Sequence, residues 1–292
     1  MISVVIVSKD ERGIDTTLAD VAEQCKELGE ECEIVVVDAS AGRLDDIWSR
    51  HKDKVRWIDF AQPDGVAVSI PHQRNAGVRA ALGDVVVFTD AGCKPDPGWL
   101  PAIVAPLRDG QEEVAAGLTL GLQGSSTVYD RDARASLRAP YLSECGAGNL
   151  AFRHHAFDSV GGFDETFAYG SDIDFTWRLV SAGYRIASVP EAVNRHDWGS
   201  RRRRLRRSYV YGKARVRLYR KHRLGLLEIA RRDPMAVTYP VFLAGLPLTL
   251  LFPLYPALLL IPAWRNRSNG AARVVMHHLA YGWGILVELV AR

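Results

Sequence analysis

Cysteine is scarce in this chain: Cys25, Cys32, Cys93 and Cys145 are the only four among 292 residues. They form neither a C-x-x-C pair nor a Cys/His cluster of metal-ligand spacing, which excludes a zinc module and a disulfide scaffold, and all four are expected to be reduced thiols. Phosphate-cradling glycine motifs are missing too. No G-x-G-x-x-G follows the first β-rich run and no G-x-x-x-x-G-K-[ST] occurs anywhere, which argues against a dinucleotide-binding dehydrogenase and a P-loop enzyme. The start of the chain lacks the charged region and long apolar core of a secretory signal, so the N-terminal part is expected to stay in the cytoplasm. Charge itself is absent between residues 235 and 264.

With 48% hydrophobic side chains, the chain can bury a large core, and disorder is not expected. The net charge of +3 is unevenly placed. Residues 195–223 hold thirteen Lys or Arg against one acid, Asp197, so this stretch carries +12 and the remainder −9. Such a run suits nucleic acid, anionic lipid or a solvated helix face. No aromatic base-stacking pattern accompanies Arg201 to Arg204, so no nucleic-acid partner is expected.

The uncharged stretch 235–264 decides for lipid. It exceeds the roughly 20 residues that span a bilayer, although Pro240, Pro247, Pro253, Pro256 and Pro262 imply kinks or a re-entrant path. A second apolar segment, 274–291, contains His277, His278 and Glu288, and Arg265, Arg267 and Arg273 separate the two. These features predict a membrane-associated helical hairpin, with the basic run held against an anionic cytoplasmic leaflet. Tyr209, Tyr211 and Tyr219 then sit at headgroup depth, and an interfacial role suits His277 and His278 better than metal ligation. The alternative is a buried helical pair of a soluble dimer.

Upstream, short β-rich runs at 2–7, 33–37, 55–60 and 85–88 alternate with helical patterns at 16–28, 44–51 and 72–82. That alternation predicts an α/β fold with a mostly parallel sheet flanked by helices, whose ligands bind beyond the carboxyl ends of the strands. The residues at those exits are Ser8-Lys9-Asp10-Glu11, Asp38-Ala39-Ser40 and Thr89-Asp90-Ala91-Gly92. A carboxylate there can accept hydrogen bonds from a ribose or base edge, which suits Asp38. Another can hold a divalent cation that neutralises a diphosphate, which suits Asp90. Arg74 adds fixed positive charge. Further on, Gly170-Ser171-Asp172-Ile173-Asp174 opens a segment whose Phe175 and Leu179 fall at helical spacing. Asp172 there is either an N-terminal cap or a general base, an anion favoured by the helix dipole. Gly146, Gly148 and Asn149 form a loop able to approach a ligand closely. Trp177 reads as packing.

Taken together, Val36-Val37-Asp38-Ala39-Ser40, Arg74-Asn75-Ala76-Gly77, Phe88-Thr89-Asp90-Ala91-Gly92, Gly146-Ala147-Gly148-Asn149, Gly161-Gly162-Phe163-Asp164-Glu165 and the segment 170–179 resemble a family 2 glycosyltransferase of the GT-A fold. The resemblance covers residues 2–196 and implies inverting transfer of sugar from a nucleotide-diphosphate sugar. It implies that Asp172 is the base and that Ser8, Asp38, Arg74 and Asp90 bind the nucleotide. Gly148, Asn149 and Asp174 would contact substrate, while Asp90 and His196 would hold a divalent cation, Mg²⁺ or Mn²⁺. The usual Asp-x-Asp is here Asp90-Ala91-Gly92, and the usual Glu-Asp pair is Ser171-Asp172. No Gln-x-x-Arg-Trp follows the basic run, so single-sugar transfer is expected rather than processive synthesis. The expected organisation is a catalytic domain at 1–198, a basic interface region at 199–233 and an apolar membrane hairpin at 234–292. The acceptor is then a membrane-proximal hydroxyl, lipid-linked or on a glycan, at the cytoplasmic face of the cell membrane. The other reading is a non-catalytic sugar-nucleotide-binding or scaffold protein of the same fold.

Overall fold

The computed structural model describes residues 1–122, 128–266 and 270–291, and divides into two compact units, Met1–Asp197 and Trp198–Arg292. Arg267 lies outside the described residues. The first unit begins as strictly alternating elements: β1 (Ile2–Ser8), α1 (Ile14–Leu28), β2 (Cys32–Asp38), α2 (Asp45–His51), β3 (Arg56–Asp59), α3 (Ile70–Ala80) and β4 (Val85–Asp90). It continues through β5 (Lys94–Pro95), α4 (Trp99–Arg108), β6 (Val114–Gly121), α5 (Val128–Ser136) and β7 (Tyr141–Leu142). The last elements are β8 (Asn149–Arg153), α6 (His154–Ser159), α7 (Ser171–Ser181) and β9 (Ile186–His196).

Among the described residues nine strands make one sheet in the order β3-β2-β1-β4-β8-β6-β9-β5, with β7 on β9. Every residue of β1 is buried, and successive side chains feed opposite cores: Ile2, Val4 and Ile6 pack with α1 and α4, while Val5 joins Phe88, Phe152, Phe163 and Phe175. Burial on both faces is what a central strand flanked by helices requires. The sheet is mixed, not mostly parallel as expected. β3, β2, β1 and β4 run parallel, but β8 pairs antiparallel with both β4 and β6, and β6 pairs parallel with β9. β8 is only five residues long and follows a glycine-bearing loop, so its apolar run carries little strand signal of its own.

One cysteine expectation is corrected. The turn at Gly29 returns the chain from α1 into β2, so Cys25 and Cys32, with Cα atoms 5.7 Å apart, are joined in a disulfide. Cys93 and Cys145 remain thiols.

The second unit is helical: α8 (Arg201–Lys221), α9 (Leu226–Arg232), α10 (Met235–Ala244), 3-10 turns at Leu246–Leu250 and Tyr255–Leu259, α11 (Leu260–Arg265) and α12 (Ala271–Val290). Ser200 caps α8 by accepting from the Arg203 amide. The expected membrane-associated hairpin has no spanning helix: none among the described residues is long and apolar enough to cross a membrane. Its prolines break the run 235–264 into short pieces, and α12 lies against α8 and α10. Glu288 of α12 is 5% exposed and accepts from Arg217 at 2.6 Å, with Lys213 at 3.2 Å. Burial would raise its carboxyl, but these two cations prevail and hold it below the usual carboxylate range. His277 pairs with Ser208 and His278 with Tyr239, both at 2.8 Å, so each histidine ties two helices together. Tyr219 is likewise buried and donates to Asp233.

Candidate active site

Three parallel strands end side by side. Register pairs Ser8 with Asp38 and Val7 with Asp90, so the carboxyl ends of β2, β1 and β4 set the predicted acids along one rim. Gln73 of α3 fixes this edge by donating to Ser8 O at 2.8 Å and Val37 O at 2.9 Å. Asp38 is 2% exposed and accepts from Ser40 Oγ at 2.6 Å. Burial pushes its carboxyl above the usual carboxylate range, against the hydrogen bonds from Ser40 and Ser8. Beyond it stands Asp59 at the end of β3, an exposed acid that the sequence reading passed over.

Arg74 reaches the same rim from α3. Its Nη2 lies 3.8 Å from Asp90 Oδ1, its guanidinium stands over the Phe163 ring at 5.4 Å, and its Nε has no hydrogen-bond partner among the described residues. Asn75 binds the segment 161–165 reciprocally, donating to Phe163 O at 2.9 Å and accepting from Phe163 N at 2.8 Å. Two motifs 88 residues apart are thereby locked together.

Past Asp90 the chain turns sharply, with Cys93 N donating to Asp90 O at 3.1 Å. Thr17 holds this turn through Gly92 N at 3.1 Å and Cys93 O at 2.7 Å. Gly92 leaves room that a carboxyl fills: a Cβ placed there would meet Glu11 side-chain atoms at 3.2 Å. Asn194, fully buried on β9, donates to Thr89 Oγ1 at 2.8 Å and Gly148 O at 3.1 Å. It therefore brings the end of β9 beside β4, and His196 follows two residues on. One atom each from Asp90, Cys93 and His196 lie within 4.8 Å of one another. This carboxylate, thiol and imidazole set fits a divalent cation. Burial, and then the charge of Asp90, push the Cys93 thiol up. Cys93, Asn194 and Asp59 are the residues that sequence reasoning missed. A cysteine three residues after a strand-terminal acid was the one local signal for the first.

The loop ahead of β8 joins this rim to α7. Gly148 touches Asp90 so closely that a Cβ there would stand 2.5 Å from Oδ2, and one on Gly146 would stand 3.5 Å from Asp172 Oδ2. α7 starts after Gly170, whose φ of 81° is open to glycine and strained for other residues. Asp172 is the second helical residue, half-buried, with Oδ1 accepting from Ile173 N at 2.9 Å. Two predicted substrate contacts turn inward instead. Asn149 is 3% exposed, accepting from Trp99 Nε1 at 2.7 Å and donating to Ala192 O at 2.9 Å. Asp174 is fully buried and pairs with Arg178, which also donates to Val160 O and Gly162 O. Both residues are framework, because their polar atoms face main chain and neighbouring side chains. Trp177, 6% exposed, packs as expected and donates to Glu144.

The chain is similar to known glycosyltransferases. Over 178 residues, 56% of the chain, it is 33% identical to the pre-mycofactocin glycosyltransferase of Mycobacterium tuberculosis, and it spans 37% of that protein's length. It is 24% identical over 237 residues to the validoxylamine A glucosyltransferase of Streptomyces hygroscopicus, covering 68% of this chain and 54% of that protein. A mannosyltransferase from Pyrobaculum calidifontis, solved in complex with GDP-Man and Mn²⁺, superposes with a TM-score of 0.70 at 19% identity, covering all of this chain and 87% of the other. That likeness shows an α/β, GT-A-like fold. The family model for glycosyl transferase family 2 matches residues 3–163, and that for glycosyl transferase family group 2 matches 136–287. The chain belongs to glycosyl transferase family 2.

Proposed function

We propose that this member of glycosyl transferase family 2 transfers a single sugar, with inversion, from a nucleotide-diphosphate sugar to a hydroxyl presented at a membrane surface, on its cytoplasmic face. The observation that carries the reading is the short loop that touches two acids: Gly148 packs on Asp90 while Gly146 approaches Asp172. One acid is thus next to the strand exits where a nucleotide binds, and the other faces it across that loop.

In this mechanism Asp172 accepts the proton of the acceptor hydroxyl as its oxygen attacks the anomeric carbon. The bond from that carbon to the diphosphate breaks on the opposite face, and its electron pair leaves with the nucleoside diphosphate. General-base help of this kind needs hydrogen-bond reach, about 2.6–3.2 Å, more than unusual basicity. Asp38 and Ser8 receive the nucleoside, and Arg74 offsets charge growing on the diphosphate. Asp90 and His196 would hold a divalent cation, which when bound supplies electrostatic stabilisation of the leaving group. Asn149 and Asp174 hold the loop and α7 in place from inside.

Support for a membrane acceptor comes from the second unit alone. The 3-10 turns and α11 contain no buried residue, and Leu250, Leu251, Phe252, Leu254, Leu260 and Trp264 are exposed, from 63% for Phe252 to 89% for Leu250. An apolar surface of this extent marks an interaction site. On α9, Leu226 and Leu227 are exposed beside Arg231 and Arg232 in the last turn, a pairing that suits an anionic bilayer surface. The test is a panel of nucleotide sugars incubated with the protein and membrane lipid extract. Transfer to a lipid fraction, with the new linkage of opposite anomeric configuration by NMR, is expected. Donor binding without turnover for every donor and acceptor would instead indicate a sugar-nucleotide-binding protein.

A further inference from the structure

Asp90 and His196 share their cluster with a third donor, the thiol of Cys93. Cys93 is 2% exposed, and the turn that begins at Asp90 brings its sulfur back toward the carboxylate. That turn is held on both sides: Thr17 binds the Cys93 carbonyl, and Asn194 braces Thr89 on the strand before it. The thiol therefore has a fixed address. With bond lengths of about 2.0–2.3 Å to nitrogen, oxygen and sulfur, the ligand atoms of a tetrahedral site stand about 3.3–3.8 Å apart. The three donor atoms here lie within 4.8 Å of one another, close enough for side-chain adjustment to bring them onto one ion.

We infer that Cys93 is a protein ligand of the cation, completing a carboxylate, imidazole and thiolate set. The inference deepens the reading of Asp90 and His196 as cation ligands and rests on it. Its chemical consequence is metal preference. Carboxylate and water suit Mg²⁺ and Mn²⁺, whereas thiolate with imidazole favours Zn²⁺ and Co²⁺. An acid at position 92 would make the site hard; glycine there, with cysteine next, makes it softer. The thiol proton leaves when the ion binds.

Cobalt and zinc report this directly on the full chain. Co²⁺ titrated into the protein with UDP or GDP is expected to give a sulfur-to-cobalt charge-transfer band in the near ultraviolet. Cys93→Ser loses the band, and Cys145→Ser keeps it; Cys25 and Cys32, joined in a disulfide, offer no thiolate. X-ray absorption of the Zn²⁺ form of the unaltered protein is expected to show one sulfur neighbour at about 2.3 Å, a readout that does not depend on any variant folding. Binding of Zn²⁺ or Co²⁺ with only nitrogen and oxygen neighbours overturns the role of Cys93 and leaves that of Asp90 and His196 standing. No binding of either ion, with or without nucleotide, overturns both.

Discussion

Asp172 and Asp174 are separated by one residue on the first turn of α7, yet they meet different surroundings. Asp172 is half-buried beside the loop 145–149, whereas Asp174 is enclosed and paired with Arg178. Asp174→Ala leaves that guanidinium without its carboxylate at 21% exposure, so a loss of about 3 kcal/mol of stability is expected in denaturant unfolding. Gly148→Ala is expected to act otherwise. Its methyl would displace the Asp90 carboxylate, lowering metal affinity about 10- to 100-fold while the melting temperature changes little. Calorimetric metal titration beside a thermal melt separates these effects. Sequence could place Asp38, Arg74, Asp90 and Asp172, because β-rich runs and helical spacing mark where strands exit and helices begin. It could not tell which way Asn149 and Asp174 point. Direction depends on partners far along the chain: Trp99 and Ala192 for Asn149, and the bend at 160–162 that Arg178 clamps for Asp174.

At the scale of elements, α8 and α12 are joined by charge and by a histidine. Glu288→Gln removes the acceptor shared by Arg217 and Lys213 and should lower stability by about 1–3 kcal/mol at neutral pH. Because the Glu288 carboxyl is held below its ordinary value, its contribution is present above the unfolded pKa, about 4.3, and is lost as pH falls through the lower folded value. The gap between native and variant melts should therefore close toward strongly acid pH. His277 works at milder pH. Burial lowers its pKa, with Arg204, His278 and Arg273 adding repulsion, so the unfolded chain takes up the proton first as pH drops below about 6.5. Native protein should lose stability between pH 7 and 5, and His277→Gln should flatten that slope. The alternating elements through β4 were readable from period alone. The antiparallel insertion of β8 was not, since its partners β4 and β6 are chosen by packing across distant segments.

For the molecule as a whole, the run 235–264 was legible as uncharged and apolar, but its path was not. Five prolines break it, leaving exposed leucines on short turns where an unbroken sequence would have made one long helix. Binding to anionic vesicles is expected, and replacing Leu250, Leu251 and Leu254 together by Ser should weaken it about a thousandfold or more, since each leucine contributes about 1.5–3 kcal/mol when buried. High salt should weaken the binding of the native chain only in part, because screening acts on the arginines and leaves apolar insertion intact. Vesicle sedimentation measures both. The central claim concerns the other unit: the proposal that Asp172 is the base. Its most direct test is single-turnover transfer by Asp172→Asn beside donor binding by calorimetry. The account predicts a fall in rate of about 10²- to 10⁴-fold with donor affinity unchanged; a variant that transfers sugar at the native rate would contradict it.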